Sequence, residues 1–180
     1  MENTMQSTKS SQVKPANLGS ISHATLRTDD LLSAFSDELE WQIQRNADYF
    51  QSSEDTRKER DGFINLIWEA REYDEDKALA SGDYETGDEI VQSLIDALNT
   101  FAGSYQYFGS HQGDGSDFGY WIDWECIQDC AYSGDVAVFA ALADIPEGFT
   151  GNAVVTNDHG NSTGYRIESG EISEVYFQVV

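Results

Sequence analysis

Positive charge is what this 180-residue chain has least of: ten Lys and Arg stand against thirty-three Asp and Glu, a formal charge of −23. Polyphosphates and anionic membrane surfaces are repelled by such a field and basic surfaces are attracted, so nucleic acid and membranes are excluded as direct partners. Cysteine is nearly absent, with only Cys126 and Cys130. Four residues apart and without a second pair, they lack zinc spacing; on a helix they share one face and read as small buried hydrophobes. No apolar run approaches the roughly eighteen residues that a membrane helix needs. The first residues lack the apolar stretch of a signal peptide, so Asn161-Ser162-Thr163 means nothing as a glycosylation acceptor and the expected location is the cytoplasm. G-x-S-x-G, H-E-x-x-H and a phosphate-binding glycine loop are all missing, and His23, His111 and His159 are scattered. Ser110 with His111, or Cys126 with His159, makes only the kind of pair that any chain contains. The expectation is a protein with no catalytic residues, no metal and no cofactor.

Aromatics are plentiful by contrast: four Trp, nine Tyr and nine Phe. That supply separates the chain from disordered acidic sequences and suits one compact domain. Residues 1–20, rich in Ser, Thr, Gln, Asn and Lys, read as a flexible leader before a domain over 21–180. Thr28 as N-cap, with Asp29 and Asp30 behind it and Leu32, Phe35, Leu39, Ile43 and Phe50 at near-helical spacing, predicts a helix over about 29–50. A second helix follows Ser52-Ser53, buries Phe63, Ile64, Ile67 and Ala70, and runs to about Leu79 before Ser81-Gly82-Asp83 breaks it. Thr86 to Glu89 fits a capping box ahead of Ile90, Leu94, Leu98 and Phe101. Tyr105–Phe118 reads as a Gly-, Ser-, His- and Asp-rich loop, Phe118–Trp124 as a strand and Glu125–Ser133 as a short helix. Runs over 153–157, 163–168 and 172–179, joined by tight-turn chemistry, close the chain. The predicted fold is α+β: a three-helix region over about 28–103, then a C-terminal antiparallel β-meander within a β-rich part over about 118–180.

Charge is unevenly placed. Residues 1–28 carry a net +2, residues 29–90 carry −13 and residues 91–180 carry −12, with Arg166 the single base of the last part. The densest run holds Glu69, Glu72, Asp74, Glu75, Asp76, Asp83, Glu85, Asp88 and Glu89, opposed only by Arg71 and Lys77. Carboxylates at helical i, i+3 and i+4 lie roughly 5–6 Å apart, a scale comparable to that of phosphates along DNA. Rows of them can offer a DNA-like field to a basic groove. The alternatives are a generic acidic surface and salt adaptation, the latter favoured by the scarcity of lysine. A second patch gathers Asp114, Asp117 and Asp123 around Trp121, where ion pairing and cation–π contact suit an arginine-rich partner, although packing of Trp121 on a sheet explains the same pattern. Gly113-Asp114-Gly115-Ser116-Asp117 lacks the ligand order and twelfth-position Glu of a calcium loop.

The segment Ile21-Ser22-His23-Ala24-Thr25-Leu26-Arg27-Thr28, continued by Asp30 to Phe35, resembles the opening of small proteins of phages and mobile elements. Asn157-Asp158-His159-Gly160-Asn161 is similar to their C-terminal hairpin. In composition and size the chain also resembles acidic anti-restriction and anti-CRISPR inhibitors, several of which imitate nucleic acid. The resemblance implies a stoichiometric inhibitor whose partner is a basic nucleic-acid-binding protein or complex of a host. It implies no catalytic residues.

Overall fold

Apolar residues recur through α1 (Thr28–Arg45) at helical spacing, and Leu31, Leu32, Phe35 and Leu39 are all buried. The computed structural model describes residues 12–83 and 85–179. Before α1 lies β1 (Gly19–Ser22); after it come α2 (Ala47–Phe50), α3 (Glu54–Glu72), α4 (Glu75–Ser81), α5 (Thr86–Asn99), β2 (Gln106–His111) and β3 (Asp114–Ile122). The chain continues with α6 (Trp124–Ser133), β4 (Val136–Phe139), a 3-10 turn (Leu142–Asp144), β5 (Gly151–Thr156), β6 (Ser162–Glu168) and β7 (Glu171–Val179). Six α-helices and two sheets make an α+β fold among the described residues. They form two compact units: the described part of 1–102 with 108–119, and 103–107 with the described part of 120–180.

In the first unit α1, α3 and α5 pack on one another, but the region expected to hold three helices holds five, α1 to α5, and the boundaries differ. The helix expected over 29–50 ends at Arg45, because Asn46 leaves helical geometry and its buried side chain binds backbone instead. Asn46 Oδ1 accepts the Lys14 N–H at 2.6 Å while Nδ2 donates to Gln42 O at 3.0 Å. The expected second helix stops at Glu72 rather than running to Leu79, since Tyr73 is extended and Asp74 caps α4 anew. Helix starts also differ. Thr28 and Thr86 are first-turn residues rather than caps; Asp83 and not Thr86 receives the N–H groups that open α5. Ser53 and Thr56 form a reciprocal capping box at α3.

Of the expected leader, residues 1–11 lie outside the described residues. From residue 12 the chain runs along the first unit. Ala16 is buried and donates its N–H to Phe101 O at 2.8 Å, Pro15 O accepts from Arg45 Nη1 at 2.6 Å, and β1 begins at Gly19. The loop expected over 105–118 is instead β2 and β3, joined at Gln112 and Gly113, and β1 pairs with β3 on its other side in the order β1-β3-β2. The Asn99 carboxamide makes both hydrogen bonds to the Phe108 backbone at 2.9 Å, which fixes the end of α5 to β2. Phe108 meets Phe35 edge-on at 5.1 Å between ring centroids, and Phe50, Phe63 and Phe101 form a second aromatic group. Each fully buried ring contributes about 1.5–3 kcal/mol relative to exposure.

The second unit is built on the sheet β4-β5-β6-β7. The antiparallel meander expected at the end of the chain is present as β5-β6-β7, but β4 adds to β5 in parallel, so the sheet is mixed. A parallel neighbour needs a crossover, which the 3-10 turn and the Pro146-Glu147-Gly148 bend supply. Ser169 and Gly170, both at positive φ, close β6 onto β7 in a two-residue turn. Phe177 lies over Gly164, where a Cβ would come within 2.4 Å of its ring, and meets Trp124 of α6 edge-on at 5.9 Å.

Gly119 controls the approach of β1 to β3. A Cβ there would lie 2.1 Å from the Gly19 carbonyl oxygen, a backbone atom that cannot swing aside. Gly119→Ala is expected to lower urea stability by about 1–3 kcal/mol and to speed amide exchange in β1. A variant of native stability with β1 still protected would refute this packing.

Candidate functional site

The acidic run is assembled around a tyrosine. Tyr73, in the extended link between α3 and α4, lies over Gly87 in the first turn of α5: a Cβ on Gly87 would fall 2.7 Å from the Tyr73 hydroxyl oxygen and 2.8 Å from Thr28 Cγ2. The end of α3 and the starts of α1, α4 and α5 therefore meet at one point. Burial, followed by the nearby carboxylates of Asp83, Glu75 and Asp88, pushes the Tyr73 hydroxyl above its ordinary value. Acids as far as thirteen residues apart in sequence, Glu75 and Asp88, thus act on a single oxygen.

The nine acids divide by what holds them. Asp74 caps α4, accepting the Lys77 N–H at 3.0 Å, and pairs with the Lys77 ammonium, which holds its carboxyl below the usual range. Asp83 caps α5 through the N–H groups of Thr86 at 3.0 Å and Glu85 at 3.2 Å, and its carboxyl is likewise lowered, chiefly by the bond with Thr86. Glu75 and Asp76 lie in the first turn of α4, and Asp88 and Glu89 in that of α5, where the positive helix end favours them. Glu69, Glu72, Asp76, Glu85, Asp88 and Glu89 are exposed, Asp74, Glu75 and Asp83 half-exposed. The opposing cations are already engaged: Lys77 by Asp74, and Arg71 by Asp37 at 2.8 Å and Glu40 at 2.6 Å on α1. Among the described residues the remaining carboxylates of the run have no ion pair.

A tryptophan that the sequence reading passes over stands on this surface. Ile67 and Ala70 of α3 are buried, but Ile64 and Trp68, four residues apart and on the same helix face, are 37% and 62% exposed. Asp61, Glu69 and Glu72 flank them, all exposed. Leu79 of α4 is 50% exposed. The signal was available in sequence: once Phe63, Ile67 and Ala70 set the inward phase of α3, Ile64 and Trp68 fall beside it.

The residues of the second patch are each held locally. Asp114 turns back onto Ser116, accepting its N–H at 3.0 Å and its hydroxyl at 2.8 Å, which lowers its carboxyl. Asp117 accepts from the Ser20 hydroxyl and lies 3.5 Å from His23. Asp123 caps α6 through the Cys126 N–H at 2.8 Å, and Trp121 is half-buried. Asp114 and Asp117 belong to the first unit, Trp121 and Asp123 to the second. Cys126 and Cys130 share one face of α6, half-buried and unbridged. No three His, Cys, Asp or Glu side chains among the described residues are grouped to hold a metal ion, and no helix is long and apolar enough to cross a membrane. Comparison with protein-family models, curated proteins and solved structures finds no match to this chain.

Because its folded carboxyl is lowered, the Asp83 cap adds stability above the ordinary aspartate range and loses it as pH falls through that range. Asp83→Ala is expected to melt below the native protein at pH 7, with the gap narrowing below about pH 4. A gap of the same size at both pH values would show that the cap does not depend on the ionised carboxylate.

Proposed function

We propose that this protein acts by binding: a non-catalytic, stoichiometric inhibitor that presents its acidic helical face to the basic nucleic-acid-binding surface of a host protein. The host proteins that fit are cytoplasmic defence complexes of the kind that anti-restriction and anti-CRISPR inhibitors block. One observation carries the reading. Carboxylates of α4, α5 and the link between them gather around Tyr73, and further exposed carboxylates continue along α3 beside the exposed Trp68.

The two parts of that surface do different work. Exposed ion pairs contribute only ~0.2–1 kcal/mol each, so the carboxylates act chiefly through the summed field that steers and orients a basic groove. Affinity needs a desolvated anchor, and interface hot spots are enriched in Trp. Trp68 supplies one among carboxylates, where a partner's arginines could pair and stack at once. A generic acidic coat has no need of a tryptophan left in water.

Glu72, Asp76 and Glu85 are exposed and none of their side chains makes a capping bond; because Asp76 lies in the first turn of α4 and Glu85 at the N-cap position of α5, retention of the fold in the reversed variant is checked by circular dichroism. Their combined replacement by Lys is expected to weaken binding to a basic DNA-binding effector about a hundredfold or more, with a steep salt dependence in the native protein, measured by calorimetry across a salt series. The same charge change at Glu168, Glu171 and Glu174 is the control and should cost far less. If the control abolishes binding and the first set does not, the surface lies on the β6–β7 hairpin and the helical reading is wrong.

Salt adaptation makes the opposite thermal prediction. A protein whose acidity serves a partner should be well folded at about 0.1 M salt, where the Debye length is already near 10 Å. A chain that melts cooperatively only in molar salt would instead place its acidity in adaptation.

A further inference from the structure

Within the first unit a cavity of about 380 Å³ opens between β1 and α1, lined by Gly19, Ser20 and Ile21 together with Glu38 and Trp41. Three features set it apart from an ordinary surface groove. β1 is an edge strand, so the sheet pairs its backbone on one side only. Glu38 is a half-buried carboxylate with no ion pair among the described residues; Oε1 accepts from Gln42 Nε2 at 2.8 Å, and no bond to Oε2 is formed. Gln42 is fully buried and its own Oε1 has no partner, so the contact with Glu38 is the one hydrogen bond that fixes this amide. Burial pushes the Glu38 carboxyl above its ordinary value, the cost that a bound cation would relieve. Trp41 is 45% exposed, and its ring already takes a guanidinium, that of Arg45, at 5.2 Å. Arg45 donates to Pro15 O and, although its charge offsets part of the burial cost, it makes no ion pair with Glu38 among the described residues.

We infer that this cavity is a subsite for an arginine side chain carried on an extended segment of a partner protein, the segment pairing along β1 while its guanidinium meets Glu38 and Trp41. The alternatives fail on chemistry. An anion meets the Glu38 carboxylate and a chain of −23. A metal ion finds a single carboxylate in the lining, and no three His, Cys, Asp or Glu side chains among the described residues are grouped to hold one. A purely apolar ligand would desolvate Glu38 without compensation. A second copy of the chain brings the same negative field. Arginine is preferred over lysine because a planar fork can bond a carboxylate and stack on an indole together. The site is separate from the carboxylates around Tyr73 and its test involves none of them, so either reading can fail while the other stands.

The test is a titration of the isotopically labelled full chain with acetyl-Val-Arg-Val-amide, followed by NMR. Saturable shifts confined to the amides of Gly19–Ser22 and the indole N–H of Trp41 are expected. The citrulline peptide, equal in shape and uncharged, should bind about tenfold or more weaker, as should the arginine peptide to Glu38→Gln. Trp41→Ala should weaken it several-fold. Absent saturation, or equal binding of the citrulline peptide, overturns the proposal. The citrulline arm uses the unaltered protein and decides the matter even if Glu38→Gln does not fold.

Discussion

Mutual repulsion among carboxylates is the constraint under which every element of this protein is built. Ten basic side chains cannot neutralise thirty-three acids, so the fold disposes of the excess by other means. Helix starts absorb much of it: Asp74, Asp83 and Asp123 cap α4, α5 and α6, and acids fill the first turns of all six helices. There a negative charge meets unpaired N–H groups and the positive end of the helix dipole, and becomes favourable. The cations are used locally. Arg71 alone holds two carboxylates of α1 against α3. What remains is an acidic surface whose charge has no internal partner.

Packing then concentrates that remainder. Tyr73 can lie against α5 only because residue 87 has no side chain, and this contact brings the carboxylates flanking α4 to the first turn of α5. The aromatic groups around Phe35 and Phe101 hold the helices that carry them. A rigid array loses little conformational entropy on docking, so preorganised carboxylates and an already exposed Trp68 suit a binding surface better than a flexible acidic tail would.

As proposed, the acidic face and the β1 cavity would meet a basic partner in two different ways. The first acts through a summed field in water, is weakened by salt, and tolerates some misalignment. The second acts through one half-buried carboxylate, one indole and a strand edge, and depends on geometry rather than net charge. On this proposal, direction of approach and choice of residue fall to separate parts of the first unit.

The sequence alone determined the α+β class, the apolar faces of α1 and α5, α6 with its cysteine pair, and the closing β5–β6–β7 meander, because each rests on short-range periodicity and turn chemistry that a few residues express. It did not reveal β2, whose Gly, Ser and His residues hide alternation, nor β4, whose four residues become a strand only beside β5. It listed the acids of 69–89 without separating caps from free carboxylates, since Asp74 and Asp83 are distinguished by which N–H groups they reach. Asn46 ends α1 through a bond to Lys14, thirty-two residues earlier, and Glu38 gains its setting from residues 17–21. These outcomes depend on burial and long-range contact, which belong to the folded chain; local sequence carries only the propensities that folding then selects among.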